Sequence, residues 1–556
     1  MLERYLPRTE FGSYEDFRDH FEIRVPENFN FAYDVVDGYA AEEPGRRAMV
    51  WCNDEGEERV VTFGELKEGS DRAAQAFVRN GIGKGDAVLL ILKGRLEFWH
   101  ALLGLHKIGA IGVPATHMLT EHDLAYRFER AEIRLVLTVP DAGLEGAIER
   151  AAGKAGGRGV AKMRLGGAKE GWLDYAGETG ASDGKWERPG GEGATRNGDT
   201  MLIYFSSGTT GQPKMVAHDF TYPLAHVVTA KYWQNVRDGG LHYTVADTGW
   251  AKSAWGKLYG QWICGSAVFV HDYEKFSPTK TLEACARHGV TTFCAPPTVY
   301  RFLIKEDLSK HDFSRLEYAV VAGEPLNPEV YEQFGKATGL RLMEAYGQTE
   351  MTVGVGNFAG MEPKPGSMGR PSPLYGMYLA RPDGTRCDAG EQGEIVVPGD
   401  RCRALGMFKG YHRDPEGNAR CMRGGVYHTG DVAWEDEDGY FWYVGRDDDL
   451  IKSSGYRIGP FEVESALMEH PAVMECAVTG IPDEERGQVV KATVVLAKGY
   501  EGSEALAHEL QAHVKAATAP YKYPRVVEFA KELPKTISGK IRRVEIRAKD
   551  KAPAGG

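Results

Sequence analysis

Short apolar runs stop at glycine-rich or polar loops and pass into longer helical patterns along most of this chain. That alternation constrains the fold more than any other feature. AVLLIL (87–92) precedes KGRLEFWHALLGLHKIG, RLVLTVP (134–140) precedes DAGLEGAIERAAG, and TTFCAPP (291–297) precedes TVYRFLIKEDL. Runs of this length with no polar face are read as strands covered on both sides, so the pattern predicts α/β layers. At 556 residues the chain exceeds what one hydrophobic core supports and should divide. The texture changes between residues 443 and 459, at a charged GRDDD run followed by a serine-glycine turn. Beyond it two β-like segments, ECAVTGI and VKATVVLAKG, alternate with helical stretches. The expected division is therefore a large N-terminal domain of layered sheets with flanking helices, residues 1–447, and a smaller α+β C-terminal domain, 448–556. Residues 153–197 are rich in Gly, Lys and Glu and read as surface excursions, and residues 551–556 as a disordered end.

Several function classes are disfavoured by composition. A formal net charge of -12 argues against a general nucleic-acid or membrane binder. No apolar run approaches the roughly 20 residues of a membrane span. The eight cysteines form no C-x-x-C pair and have no histidine at zinc spacing, so neither a disulfide framework nor a metal cage is indicated. With no signal or transit pattern in its opening residues, the chain is expected in the reducing cytoplasm. A basic cluster in PKTISGKIRRVEIRAK reads equally as a solvated helix face or as part of an anion site.

The loop YFSSGTTGQPK (204–214) is too dense in hydroxyls to fill a core. Gly208 and Gly211 permit close backbone approach, and Ser206, Ser207, Thr209, Thr210 and the backbone amides can donate to phosphate oxygens. Lys214 adds a point charge. It is not a Walker loop, so a plain turn is the competing reading and a phosphate cradle the stronger one. YAVVAGEP (318–325), RLMEAYGQTE (341–350) and VYHTGDVAW (426–434) share this strand-then-polar-loop form. A tyrosine face suits a purine, a carboxylate after a turn suits a ribose diol, and a carboxylate beside phosphate suits Mg²⁺. Each alone reads as structural; together they describe a nucleoside triphosphate site. GVGNFA (354–359) satisfies a dinucleotide pattern but opens no βαβ unit and is set aside.

YFSSGTTGQPK, EAYGQTE, YHTGD, GRDDDLIKSSGYRIGP and PKTISGK resemble, in this order, the signature motifs of the acyl-adenylate-forming superfamily. VPENFNFAYDVVDGYA, TGWAKSAWGKLYGQW and KSSGYRIGPFEVESALMEHPAV look like its medium-chain acyl-CoA synthetase branch. The resemblance implies a ligase that turns a carboxylic acid, ATP and coenzyme A into acyl-CoA, AMP and pyrophosphate through an acyl-adenylate. It implies that residues 206–214 hold the β- and γ-phosphates and that Gly323, Glu324 and Pro325 line the adenine pocket. Glu344, Ala345, Tyr346, Gly347, Gln348 and Thr349 would complete the nucleotide site, with Tyr346 stacked on the base and Thr349 at the α-phosphate. Glu350 would hold Mg²⁺, Asp431 and Arg446 the ribose, and Lys540 would bridge substrate carboxylate and α-phosphate.

The same resemblance implies a mobile C-terminal domain turning at Asp448. Ser454, Gly455, Tyr456 and Arg457 would face coenzyme A, with Arg486 a further candidate and Arg525 a weaker one. Gly347, next to the stacking tyrosine, would leave an acyl pocket open beyond acetate. Trp250, Trp255, Tyr259 and Trp262 would supply its wall or simply pack a core. Medium-chain, branched or small aromatic acids are then the expected substrates, for a monomer or homo-oligomer. The competing functions are an adenylating enzyme that delivers to a carrier protein and a non-catalytic relative that only binds nucleotide.

Overall fold

The computed structural model describes residues 1–154, 159–206, 212–535 and 540–551. Two large sheets dominate the N-terminal part, and both have parallel cores, as strands buried on both faces demand. In the eight-stranded sheet Ala87–Ile91 is wholly buried between Ile111–Pro114 and Ile133–Thr138, with Leu89 opposite Val113 on one side and Val136 on the other. Phe63–Arg79 and Glu97–Ile108 cover it as paired helices. Their backbones come together at Gly104, where a Cβ would meet Ala73 Cβ and Ala74 N at 2.9 Å. The first helix is started by a reciprocal cap between Thr62 and Glu65.

The nine-stranded sheet carries five consecutive parallel neighbours that include Thr292–Ala295, Tyr318–Ala322 and Leu342–Tyr346. A four-stranded antiparallel sheet follows, with Tyr427–Glu435 paired to Phe441–Arg446. The C-terminal unit is built on the hairpin of Val473–Asp483 and Gly487–Leu496, whose core includes Ile451, Val463, Leu467, Val478, Val490 and Leu510. This is the mixed α/β architecture expected, with layered sheets and a smaller C-terminal body. No helix among the described residues is long and apolar enough to cross a membrane.

One local reading is corrected and one that was left open is decided. Residues 153–197 are not only surface excursion: Ala161–Arg164 and Leu173–Asp174 finish the edge of the eight-stranded sheet. Arg164 pairs with the buried Glu145 at 2.7 Å, so a segment rich in charge still closes a layer. Tyr259 and Trp262 are fully buried core rather than pocket wall, packed on Phe31, with Trp262 Nε1 donating to the Ala48 carbonyl at 2.8 Å. The end expected to be disordered falls, from residue 552 onward, outside the described residues.

Candidate active site

Parallel pairing gathers the site. Tyr318–Ala322 and Leu342–Tyr346 are neighbours with Ala322 opposite Ala345, so Gly323–Pro325 and Tyr346–Gly347 leave the same sheet edge side by side. Gly323 has φ +112, a conformation that favours glycine. Glu324 accepts from Thr298 Oγ1 at 2.9 Å. Glu344 lies one layer below, its Oε1 accepting the Leu326 N–H at 3.2 Å, while its buried Oε2 has no hydrogen-bond partner among the described residues. Burial pushes this carboxyl up to about 8. Ala345 is buried in the strand and contributes backbone.

Thr200–Ser206 and Lys214–Asp219 form a hairpin with Ser206 directly opposite Lys214. Ser207, Gly208, Thr209, Thr210 and Gly211 lie outside the described residues. The Lys214 ammonium stands 4.5 Å from the Tyr411 ring centroid and 3.4 Å from its hydroxyl. That hydroxyl donates to Glu350 Oε1 at 2.9 Å. Glu350 is buried, and burial raises its pKa against the lowering effect of Tyr411. Beside it the Thr349 carbonyl is 2.8 Å from His218 Nε2. Burial lowers His218 to about 4, so the neutral ring donates from Nε2.

Asp431 and Arg446 are opposite one another on the antiparallel sheet, with a 3.8 Å ion-pair distance. Asp431 Oδ2 accepts from Tyr346 Oη at 2.7 Å and Gln348 Nε2 at 2.6 Å, and Oδ1 from Tyr443 Oη at 3.2 Å. Tyr427 Oη donates to Gln348 Oε1 at 2.8 Å and fixes that amide. The carboxylate expected to meet a ribose is thus held by the tyrosine expected to meet the base. Lys252 Nζ donates to the Ala322 carbonyl at 2.6 Å, directly before Gly323. Burial lowers this lysine, and the charge of Lys540 acts in the same direction. Lys540 itself is exposed and directly precedes Ile541, which bridges Lys535.

Gly347 is not open space. A Cβ there would stand 2.5 Å from Trp255 Cη2 and 2.7 Å from the Thr352 carbonyl oxygen. The volume left by the missing side chain is occupied by the indole, which corrects the reading that glycine alone leaves room. Trp250 is half-buried, at the turn where its N–H donates to the Asp247 carbonyl. Ser454 and Gly455 form a left-handed turn, with φ 49 and 85. Ser454 N donates to the Arg486 carbonyl at 3.0 Å, and Arg486 Nη1 to Ser454 Oγ at 3.3 Å. The exposed Tyr456 stacks on Tyr521 at 4.1 Å, while the neighbouring Arg457 is exposed and Arg525 lies over Tyr523 at 5.0 Å. Among the described residues this turn makes its contacts inside the C-terminal unit, not with Tyr346, Asp431 or Lys214. Lys252, His218, Tyr411 and Tyr443 touch or adjoin the candidate site residues, and motif reading missed them.

The chain matches the AMP-binding enzyme family over residues 36–412 and the AMP-binding enzyme C-terminal domain over 462–540. The mitochondrial acyl-coenzyme A synthetase ACSM3 of Mus musculus is 40% identical over 97% of this chain and 94% of its own length. This chain belongs to the acyl-coenzyme A synthetase family. Human ACSM4, also mitochondrial, is 40% identical over 94% of this chain and 91% of its own. Among solved structures, the anthranilate CoA ligase AuaEII in complex with anthranoyl-AMP superposes with a TM-score of 0.86 at 28% identity, over 95% of this chain and 98% of that one. The Brucella canis acyl-CoA synthetase gives 0.71 at 32% identity, over 94% of each chain.

Within the adenylate-forming superfamily the chain stands on the medium-chain branch, with the ACSM proteins. It is an acid–thiol ligase that consumes ATP and coenzyme A and forms acyl-CoA. The cytoplasmic expectation is overturned. The relatives are mitochondrial, which points there instead. A targeting address is read by receptors rather than by fold physics.

Proposed function

We propose that this acyl-CoA synthetase acts on medium-chain, branched or small aromatic acids, with Trp255 against Gly347 forming the end wall of the acyl pocket. The observation that carries this reading is the 2.5 Å approach at Gly347. A bulky residue at 347 would displace the indole into the space of the acid, so glycine with tryptophan supports a pocket deeper than acetate requires. The benzoate and anthranilate ligases among the structural neighbours take flat acids of this size.

In the first step a carboxylate oxygen attacks the α-phosphorus and pyrophosphate leaves. Tyr346 would stack on adenine between the Gly323–Pro325 turn and the strand edge. Asp431, oriented by Tyr443 and Gln348, would accept from the ribose hydroxyls with Arg446 alongside. Lys214 and Ser206 would hold the outer phosphates, Thr349 the α-phosphate. Lys540 would neutralise the two converging anions, where preorganised charge has its largest effect on rate.

Glu350 is a buried carboxylate beside Lys214 and Tyr411, and one such carboxylate would hold Mg²⁺ arriving on the phosphates. When bound it would draw charge from the phosphate oxygens.

In the second step rotation at Asp448 would withdraw Lys540 and present Ser454–Arg457 with Arg486, so that the thiol sulfur attacks the acyl carbon and AMP departs. The test is a panel of acids from acetate to dodecanoate plus benzoate, assayed for AMP formation with coenzyme A. Medium-chain, branched or aromatic acids should exceed acetate in kcat/KM; acetate leading the panel refutes the reading.

A further inference from the structure

In the basic cluster after Lys540, Arg543 and Arg547 turn inward onto carboxylates, while Arg542 and Lys549 stay exposed. Arg543 Nη2 donates to both oxygens of Glu464 at 2.7 Å, and its Nε to Oε1 at 3.3 Å. Glu464 Oε1 also accepts the Val478 N–H at 2.8 Å, tying the same carboxylate to the central hairpin. Arg543 Nη1 stands 3.6 Å from Asp449 Oδ2, and Arg547 Nη1 donates to Asp449 Oδ1 at 2.5 Å. Only 7% of the Asp449 side chain and 12% of that of Glu464 are exposed, so these are desolvated contacts of defined geometry.

Asp449 directly follows the hinge residue Asp448, Glu464 lies on the first helix of the C-terminal unit, and Arg543 begins the helix Arg543–Lys551. One guanidinium therefore joins the start of the moving body to the chain that carries Lys540 three residues earlier. Three residues reach at most about 10 Å, so fixing Arg543 confines the lysine. The incoming arm is held separately, by the Lys535–Ile541 bridge and by Arg542 N donating to the Pro534 carbonyl at 2.8 Å.

We infer that Arg543 is the positioning residue for Lys540: its fork on Glu464 and its contact with Asp449 make the hinge end and the lysine arm one rigid piece, so that rotation at Asp448 delivers and removes the ammonium as a unit. This rests on Lys540 serving adenylation. A displacement of about 1 Å costs on the order of 10² in rate when geometry sets the barrier.

The experiment measures both half-reactions in single turnover, as carboxylate-dependent pyrophosphate release and as thioester formation from supplied acyl-AMP. Arg543→Ala should lower the first by on the order of 10² and leave the second within about threefold. Added guanidinium should restore part of the loss. Arg543→Lys should remain impaired, because a point charge cannot form the two-oxygen fork. Lys540→Ala with Arg543→Ala should be no slower than Lys540→Ala alone, since one residue acts through the other. Equal loss in both half-reactions, or additive losses in the double variant, overturns the inference and leaves the function standing. Normal pyrophosphate release by Lys540→Ala overturns the assignment of the lysine and the inference with it. If Arg543→Ala does not fold, Arg543→Lys and Glu464→Gln carry the same comparison.

Discussion

Replacing Gly347 by alanine adds one carbon where the structure has least room for it. The new Cβ would lie 2.5 and 2.9 Å from two indole carbons of Trp255 and 2.7 Å from the Thr352 carbonyl oxygen. Thr352 cannot retreat, because its N–H and Oγ1 both meet the buried Tyr375 hydroxyl, at 3.2 and 2.7 Å. The backbone of Trp255 is equally fixed, since its carbonyl accepts from Gln234 and Gln261 at 3.0 and 2.9 Å. The ring therefore has to tilt. Restoring ordinary contact moves its edge by about 1 Å, toward the acid if the pocket lies where we place it. Overpacking of this kind costs roughly 1–3 kcal/mol in stability. Each methylene of substrate that loses its place forfeits about 0.8 kcal/mol, close to fourfold in kcat/KM. Acids that fill the pocket should lose several-fold while acetate changes little, and Gly347→Trp should extend the loss over most of the chain-length range. The assay is kcat/KM across acids from two to eight carbons plus benzoate, with KM for ATP as the control that Tyr346 still holds its place. An unchanged chain-length profile would show that Trp255 does not bound the acyl pocket.

Lys540→Ala should reduce adenylation by on the order of 10²–10³ and largely spare thioester formation from supplied acyl-AMP, as read by separate half-reaction rates. Asp448→Pro fixes φ at the hinge; adenylation should persist and thioester formation collapse, and an unchanged ratio of the two would move the hinge elsewhere. Glu344 is the pH test. Its folded-state pKa of about 8 lies above its ordinary 4.5, so the folded chain binds more protons and its stability falls as pH rises from about 4.5 and levels off above about 8. Glu344→Gln removes that loss, and the Tm difference from the wild-type apoenzyme should grow from near zero at pH 5 to clearly positive at pH 8. A difference independent of pH would place an ionised carboxylate at 344.

The sequence by itself determined the class of fold and named the candidate nucleotide residues, because both rest on local patterns. Buried strands without polar faces announce themselves as continuous apolar runs, and polar turns that follow them carry their chemistry in adjacent residues, as at Gly323–Pro325 and Tyr346–Glu350. Tertiary structure decided who meets whom. Tyr411 stands in FKGYHRD with no local sign of function, yet the fold brings it to Glu350, 61 residues away. Tyr443 is one aromatic among several in YFWYV, and only the pairing of its strand aims it at Asp431. Gly347 read as an opening, since a sequence records the absence of a side chain but not the neighbour that fills the space. The arginines after Lys540 read equally as a solvated face or an anion site for a similar reason: charge is visible in a sequence, whereas the buried carboxylates of Glu464 and Asp449 that neutralise Arg543 and Arg547 are contributed by elements far along the chain. Compartment was legible from neither, because an address is recognised by a receptor and leaves no trace in how a core packs.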